Sequence, residues 1–171
     1  MYTTPIEGTV AVVTASKENN GIIGYIKEND EIKNRKLKGV LTIAPIGAYT
    51  GICFYQEDYF TSTGNSKIIE ITNSKLKDIM DANKYSYHFL ARILTKNFCK
   101  TLYGYSRVLV NNDVYKTPIL LPCLEVSKEE DYIWEENGKY YTLATSYISY
   151  IYLQSRVNFN QKLIDEYTYE Y

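Results

Sequence analysis

Five short polar stretches hold the residues of this chain best suited to recognition chemistry: TASKENNG (14–21), NRKLKG (34–39), IGAYTG (46–51), TSTGNSK (61–67) and YGYSR (103–107). An asparagine carboxamide can bond two positions of adenine, and an arginine or lysine can bond guanine. Hydroxyls, tyrosines and backbone amides suit phosphates. The candidate DNA contacts are therefore Ser16, Lys17, Asn19, Asn20, Lys36, Lys38, Tyr49, Ser62, Tyr105 and Arg107. Arg107 is the foremost candidate for a guanine or phosphate. Loops on a rigid scaffold are where recognition usually resides. The plainer alternative for each is a surface turn, since Asn-Gly, as at Asn20-Gly21, is a common turn dipeptide.

Catalytic patterns are sparse by comparison. His88 is the one histidine, so neither a zinc cluster nor a Ser-His-Asp triad has a second imidazole to use. Nucleophile elbows, phosphate-cradling GxxxxGK[ST] loops and GxGxxG fingerprints are absent. So is the Asn/Asp-Pro-Pro-aromatic tetrapeptide with which an amino-methyltransferase holds its base. Glu31-Ile32-Lys33 fits the E-x-K end of a metal-dependent nuclease site, with Glu18 as a second carboxylate. About two such acid-x-Lys triplets arise by chance in a chain of this composition, and this one lies in KENDEIKNRK, which reads as a solvated loop. Glu129-Glu130-Asp131 and Glu135-Glu136 are contiguous in sequence, which makes a surface and not an acid/base pair. The expectation is a chain with no catalytic residues and no cofactor of its own.

The loops need strands to hold them. GTVAVVT (8–14), GIIGYI (21–26), VLTIAPIGAY (40–49), GICFYQ (51–56) and KIIEIT (67–72) read as strands, and IAPIGAYTGICFY as a hairpin. SKLKDIMDA (74–82) reads as a short helix capped by Asn73 or Ser74. Residues 84–102 form a longer one, with Tyr85, Phe89, Ile93 and Leu94 or Phe98 on its apolar stripe. GYSRVLV (104–110) is strand-like, and KTPILLP (116–122) reads as a short buried strand stopped by Pro122. WEENGKYYTL (134–143) is a hairpin about Asn137-Gly138, and 144–167 is one long helix or two short ones. The fold class is mixed α/β, strand-rich, with a packed helix and a C-terminal helical element.

Charge is distributed unevenly. Residues 1–120 carry 15 Lys and Arg against 11 Asp and Glu, whereas residues 121–171 carry 4 against 9, within an overall net charge of −1. An electropositive body with an acidic tail region suits DNA on one side and a protein partner on the other. Cys53, Cys99 and Cys123 sit in apolar contexts and read as small core residues of a reducing compartment. No signal peptide and no apolar run near 18 residues is present, so the expected location is cytoplasmic and no membrane is involved. Nineteen tyrosines against five phenylalanines and one tryptophan suit half-buried positions or a binding surface.

Taken in order, "NNGIIGYI", "LTIAPIGAYTGICFYQEDYFTSTGNSKIIEI", "KYSYHFLARIL" and "YGYSR…KTPILLP" resemble the target recognition domain of restriction–modification specificity proteins. The resemblance is to type I specificity subunits and BcgI-like fused enzymes. It covers roughly residues 8–122, with Phe60-Thr61 and His88-Phe89-Leu90 at characteristic steps. "IWEENGKYYTLATSYISYIYL" is similar to the spacer and helix that follow in BcgI-like members. The resemblance implies an α/β domain that reads double-stranded DNA in the major groove. It also implies a partner DNA methyltransferase that binds S-adenosylmethionine and flips the target adenine, with Mg required in partner subunits.

The division expected from this is a recognition domain over 1–124 and a spacer with a helical docking element over 125–171. Full type I subunits carry two recognition domains. This chain has one, so it reads as a half-subunit that forms a homodimer, as a module cut from a larger protein, or as a relative used differently. The second reading is a protein-binding adaptor or inhibitor that reuses the fold without sequence-specific DNA binding. The third is a small nuclease built on Glu31 and Lys33.

Overall fold

A computed structural model of the protein describes residues 1–100, 108–109, 114 and 116–168, with the side chains of 100 and 157–168 outside the description. The strand expected over 104–110, with Tyr105 and Arg107, lies outside the described residues apart from Val108 and Leu109. The fold is mixed α/β. It divides into two compact units, one of residues 1–70 and 90–119, the other of 71–89 and 120–171. The division at 124 read from the sequence differs from this one: segment 71–89 groups with the C-terminal residues.

The first unit is built on two three-stranded sheets. In one, β1 (Thr9–Val13) lies between β2 (Ile22–Lys27), antiparallel to it, and β5 (Phe60–Ser62), parallel to it. β1 is paired along both edges, and since successive side chains point to opposite faces, the burial of all of Val10 to Val13 shows that both of its faces are covered as well. In the other, β3 (Val40–Ile43) lies between β4 (Cys53–Gln56) and β6 (Lys67–Ile69), antiparallel to both. The expected hairpin over 43–55 is therefore present, although β3 ends before Pro45, where a missing N–H ends the ladder. Ala11, Val13 and Phe60 form a core with Ile22, Tyr25, Val40 and Ile68 packed on it. Tyr2 bridges the outer edge of β2 at Tyr25.

Two expectations about helices are corrected here. The charge run KENDEIKNRK is solvated, but it holds a helix, α1 (Asp30–Arg35), and is not a loop throughout. Asn29 caps it by accepting from the Ile32 amide at 2.9 Å. Asp30 and Glu31 occupy its first turn and Lys33 and Arg35 its last, the order its dipole favours. After α2 (Ser74–Asp81), which Asn73 caps, comes α3 (Lys84–Lys100), the long helix expected from 84. Its buried stripe is Tyr87, Leu90, Ala91, Leu94 and Phe98, while Tyr85, Phe89 and Ile93 are half-buried. The apolar pattern around α3 is broad enough that spacing alone selected the neighbouring stripe.

In the first unit, residues 90–100 of α3 meet the β3–β4 turn. Thr95 Oγ1 accepts from the Cys53 amide at 2.9 Å, and a Cβ at Gly51 would lie 2.9 Å from Phe98 backbone and side-chain atoms. Gly51 also has φ +91°, so a side chain there is excluded by both backbone and contact.

The second unit holds a three-stranded antiparallel sheet in the order β7 (Cys123–Val126), β9 (Lys139–Leu143), β8 (Trp134–Glu136). Its β8–β9 hairpin turns at Asn137-Gly138 as expected, both with positive φ. One continuous helix, α4 (Thr145–Thr168), follows. Asn83 Nδ2 donates to Ser149 Oγ at 2.8 Å, and the Tyr152 ring packs on Tyr85 and His88. The buried strand expected over 116–122 is absent: 118–122 is irregular, with Leu120 86% exposed and no strand pairing among the described residues. No helix among the described residues is long and apolar enough to cross a membrane.

Candidate nucleic-acid interface

Because β1 and β5 run parallel, the chain leaves both at the same end. β1 continues into 14–21 and β5 into 62–66, and the two loops bond directly. The Thr63 amide donates to Val13 O at 3.1 Å, and Thr63 Oγ1 donates to Thr14 Oγ1 at 3.0 Å. The β3–β4 turn lies beside them, with Lys17 Nζ 6.0 Å from the centroid of the Tyr49 ring. Three of the five polar stretches are thus neighbours, bringing Ser16, Lys17, Asn19, Asn20, Tyr49 and Ser62 to one region.

Within TASKENNG the chain makes a left-handed turn. Asn19, Asn20 and Gly21 have φ of 46°, 56° and 79°. Asparagine tolerates this region better than other side chains, because its carboxamide can bond locally. Asn19 Nδ2 donates to Ile22 O at 3.1 Å. Asn20 Nδ2 donates to Tyr55 O at 3.0 Å and Gln56 Oε1 at 3.2 Å. Gln56, which is buried, returns a bond from Nε2 to Asn20 O at 2.8 Å and gives another to Thr42 Oγ1 at 3.0 Å. The expectation of amides presented outward is corrected for Asn20, whose side-chain donor serves acceptors of β4, whereas Asn19 is exposed and bonds a carbonyl three residues on. The outward groups are Lys17, Glu18 and Asn19, all exposed, with Ser16 half-buried and accepting from the Glu18 amide.

Ser62 is exposed, but its hydroxyl is shared with Ser66 Oγ at 2.8 Å and accepts from the Gly64 amide. Lys36 and Lys38 lie elsewhere, at the opposite end of β5. Leu37 exchanges backbone hydrogen bonds with Phe60, and the flanking ammonium groups sit 4.3 and 4.7 Å from the centroid of the exposed Tyr59 ring. Such distances allow a cation–π attraction. Lys36 is also bonded to Glu28 at 2.5 Å, so much of its charge is compensated, whereas Lys38 has no carboxylate partner among the described residues. β5 is three residues long, so its two ends are separated by roughly 7 Å.

No family model, curated protein or solved structure matches the chain. What the region can do therefore rests on its own groups. It offers a lysine beside an exposed tyrosine on a braced loop, hydroxyls next to it, and a second lysine–tyrosine cluster farther along β5. These groups suit phosphate oxygens and base edges.

The remaining candidates for chemistry are dispersed. Glu31 pairs with Arg35 at 2.9 Å and Lys33 with Asp30 at 3.5 Å, all along exposed α1, so the E-x-K fragment is occupied in local ion pairs. No group of three or more His, Cys, Asp or Glu side chains is placed to hold a metal among the described residues. Burial raises the Cys53 thiol far above its ordinary range and raises Cys99 as well, whereas Cys123 is exposed, contrary to its expected place in the core. Tyr59, Thr63, Thr42 and Gln56 were not singled out by sequence. Tyr59 and Thr63 depend on strand pairings that spacing does not reveal. A glutamine ending the apolar run CFYQ was the one local signal of a buried polar contact.

Proposed function

We propose that the chain is a sequence-specific double-stranded DNA recognition module. It acts as a specificity subunit or half-subunit that directs a restriction–modification methyltransferase or endonuclease to its target. The observation that carries this reading is the gathering of three polar loops, with Lys17, Tyr49 and Ser62, beside the parallel β1–β5 pair. The ordered motifs over 8–122 and the excess positive charge of residues 1–120 support it further.

In this reading the chain performs no chemistry. Lys17, Lys38 and Arg107 supply phosphate or guanine contacts, and a partner methyltransferase supplies S-adenosylmethionine and base flipping. The exposed side chains Tyr147, Tyr150 and Leu153, spaced three apart on α4, suit docking of that partner or of a second copy. The same stripe also favours the adaptor reading, in which the chain binds a protein partner without DNA preference.

The experiment is selection from a randomised duplex DNA pool by the chain alone and with a DNA methyltransferase, at two salt concentrations. Enrichment of one short sequence is expected, and Lys17→Ala should weaken binding and reduce the salt slope by about one. Methyltransferase binding with no enrichment in either condition would transfer the assignment to the adaptor.

A further inference from the structure

Buried polar groups are costly unless fully bonded, and an apolar pair of similar size fills the same space without that cost. Gln56 and Thr42 are nevertheless both buried, 3% and 2% exposed, Thr42 on the central strand of the second sheet of the first unit and Gln56 at the end of its β4 edge strand. Their bonds lead to one place. Gln56 uses its amide nitrogen on the Asn20 carbonyl and the Thr42 hydroxyl, and its amide oxygen on the Asn20 carboxamide. Asn20 completes the connection by donating to Tyr55 O. Both the backbone and the side chain of a single loop residue are therefore tied to β4.

That residue lies within a run of three left-handed residues, a conformation that a chain of L-amino acids leaves readily unless it is held. Gly21 closes the turn, its amide donating to Glu18 O at 2.8 Å, and a Cβ there would meet Thr14 O at 3.1 Å. The segment displayed by the turn is Ser16–Glu18, with Lys17 directed at Tyr49.

We infer that Gln56, backed by Thr42, is a positioning residue: it fixes the left-handed turn through Asn20 and so sets where Lys17 is presented. The inference rests on the DNA-recognition reading and adds to it the source of selectivity. A lysine on a loosely held loop can neutralise a phosphate almost anywhere, but discrimination among bases needs it at one position. Loss of the brace should therefore impair selectivity more than total affinity.

Two variants separate this from a general stability effect. Asn20→Gly keeps the left-handed backbone accessible and deletes the carboxamide. Gln56→Leu keeps approximate volume and deletes all of the glutamine's bonds. Native-state hydrogen exchange is read at the Gly21 and Ile22 amides, which are bonded within the turn. Both variants should keep the wild-type circular dichroism spectrum and exchange these amides at least about tenfold faster. Enrichment of the preferred site from the randomised pool should fall at least about tenfold, with affinity for random duplex held within about threefold. Unchanged exchange at Gly21 and Ile22 would overturn the inference, as would faster exchange with undiminished enrichment. If the wild-type chain itself enriches no sequence, the recognition reading fails first, and the positioning role falls with it.

Discussion

Asp81 shows how a single side chain contributes to acid sensitivity. Hydrogen bonds from Lys77 and from the Tyr87 hydroxyl hold its carboxyl below the usual 3.8. The unfolded chain then binds more protons in the window below the ordinary value, so this contribution is complete above about pH 5 and disappears as pH falls through the lowered value. Tyr87→Phe, which removes one of the two bonds, should shift the acid unfolding midpoint upward by a few tenths of a pH unit, read by tyrosine fluorescence. The effect is modest because Asp81 is about half exposed and water screens it. The thiols give a sharper contrast. Cys123 is exposed, while burial keeps Cys53 and Cys99 protonated, so a chromogenic disulfide reagent should modify Cys123 in the native state well before the other two. Cys123→Ser should remove the fast phase.

At the scale of elements, the approach of α3 to the β3–β4 turn depends on one missing side chain. Gly51→Ala places a methyl 2.9 Å from Phe98 in a left-handed residue and should cost roughly 2–4 kcal/mol, measurable as a lower urea midpoint. Much of this level was legible in sequence. β1, β2, β4, the Asn137-Gly138 hairpin, the Asn73 cap and α4 follow from alternation, turn chemistry and helical spacing, which are local properties. What escaped was non-local. β5 is too short to show a pattern, and KTPILLP reads as a strand yet joins no sheet among the described residues. The candidate region was legible as polar loops, but the inward direction of the Asn20 donor depends on a sheet more than 30 positions away along the chain, at Tyr55 and Gln56.

For the whole molecule, charge sets a quantitative expectation. Lys36 is paired with Glu28, which leaves Lys17 and Lys38, with no carboxylate partner among the described residues, and Arg107, proposed from sequence, as the basic members of the proposed contact set. Three phosphate contacts correspond to a log–log salt slope near −2.7, or about a 40-fold loss of affinity between about 50 and 200 mM salt. Titration of a fluorescent random duplex over that range checks it. A much steeper slope would point to basic residues outside this set. Because the chain carries a net charge of −1, unselective affinity should be weak and should rise when a basic partner joins the complex.

The parallel pairing of β1 with β5 also bears on how the chain acquires its structure. Thr14 and Thr63 are 49 positions apart, whereas β3 and β4 are joined by a short turn. Closing a long loop costs entropy before its contacts compensate, so hairpins should form early and the parallel pair late. Loops 14–21 and 62–66 bond to each other across that late pair, which makes this part of the proposed interface among the last features of the first unit to be assembled. Pulse-labelled hydrogen exchange during refolding should show the Ala44 and Gly51 amides of the β3–β4 hairpin protected before that of Thr63. A nascent or partly refolded chain would then be compact before it could discriminate between DNA sequences.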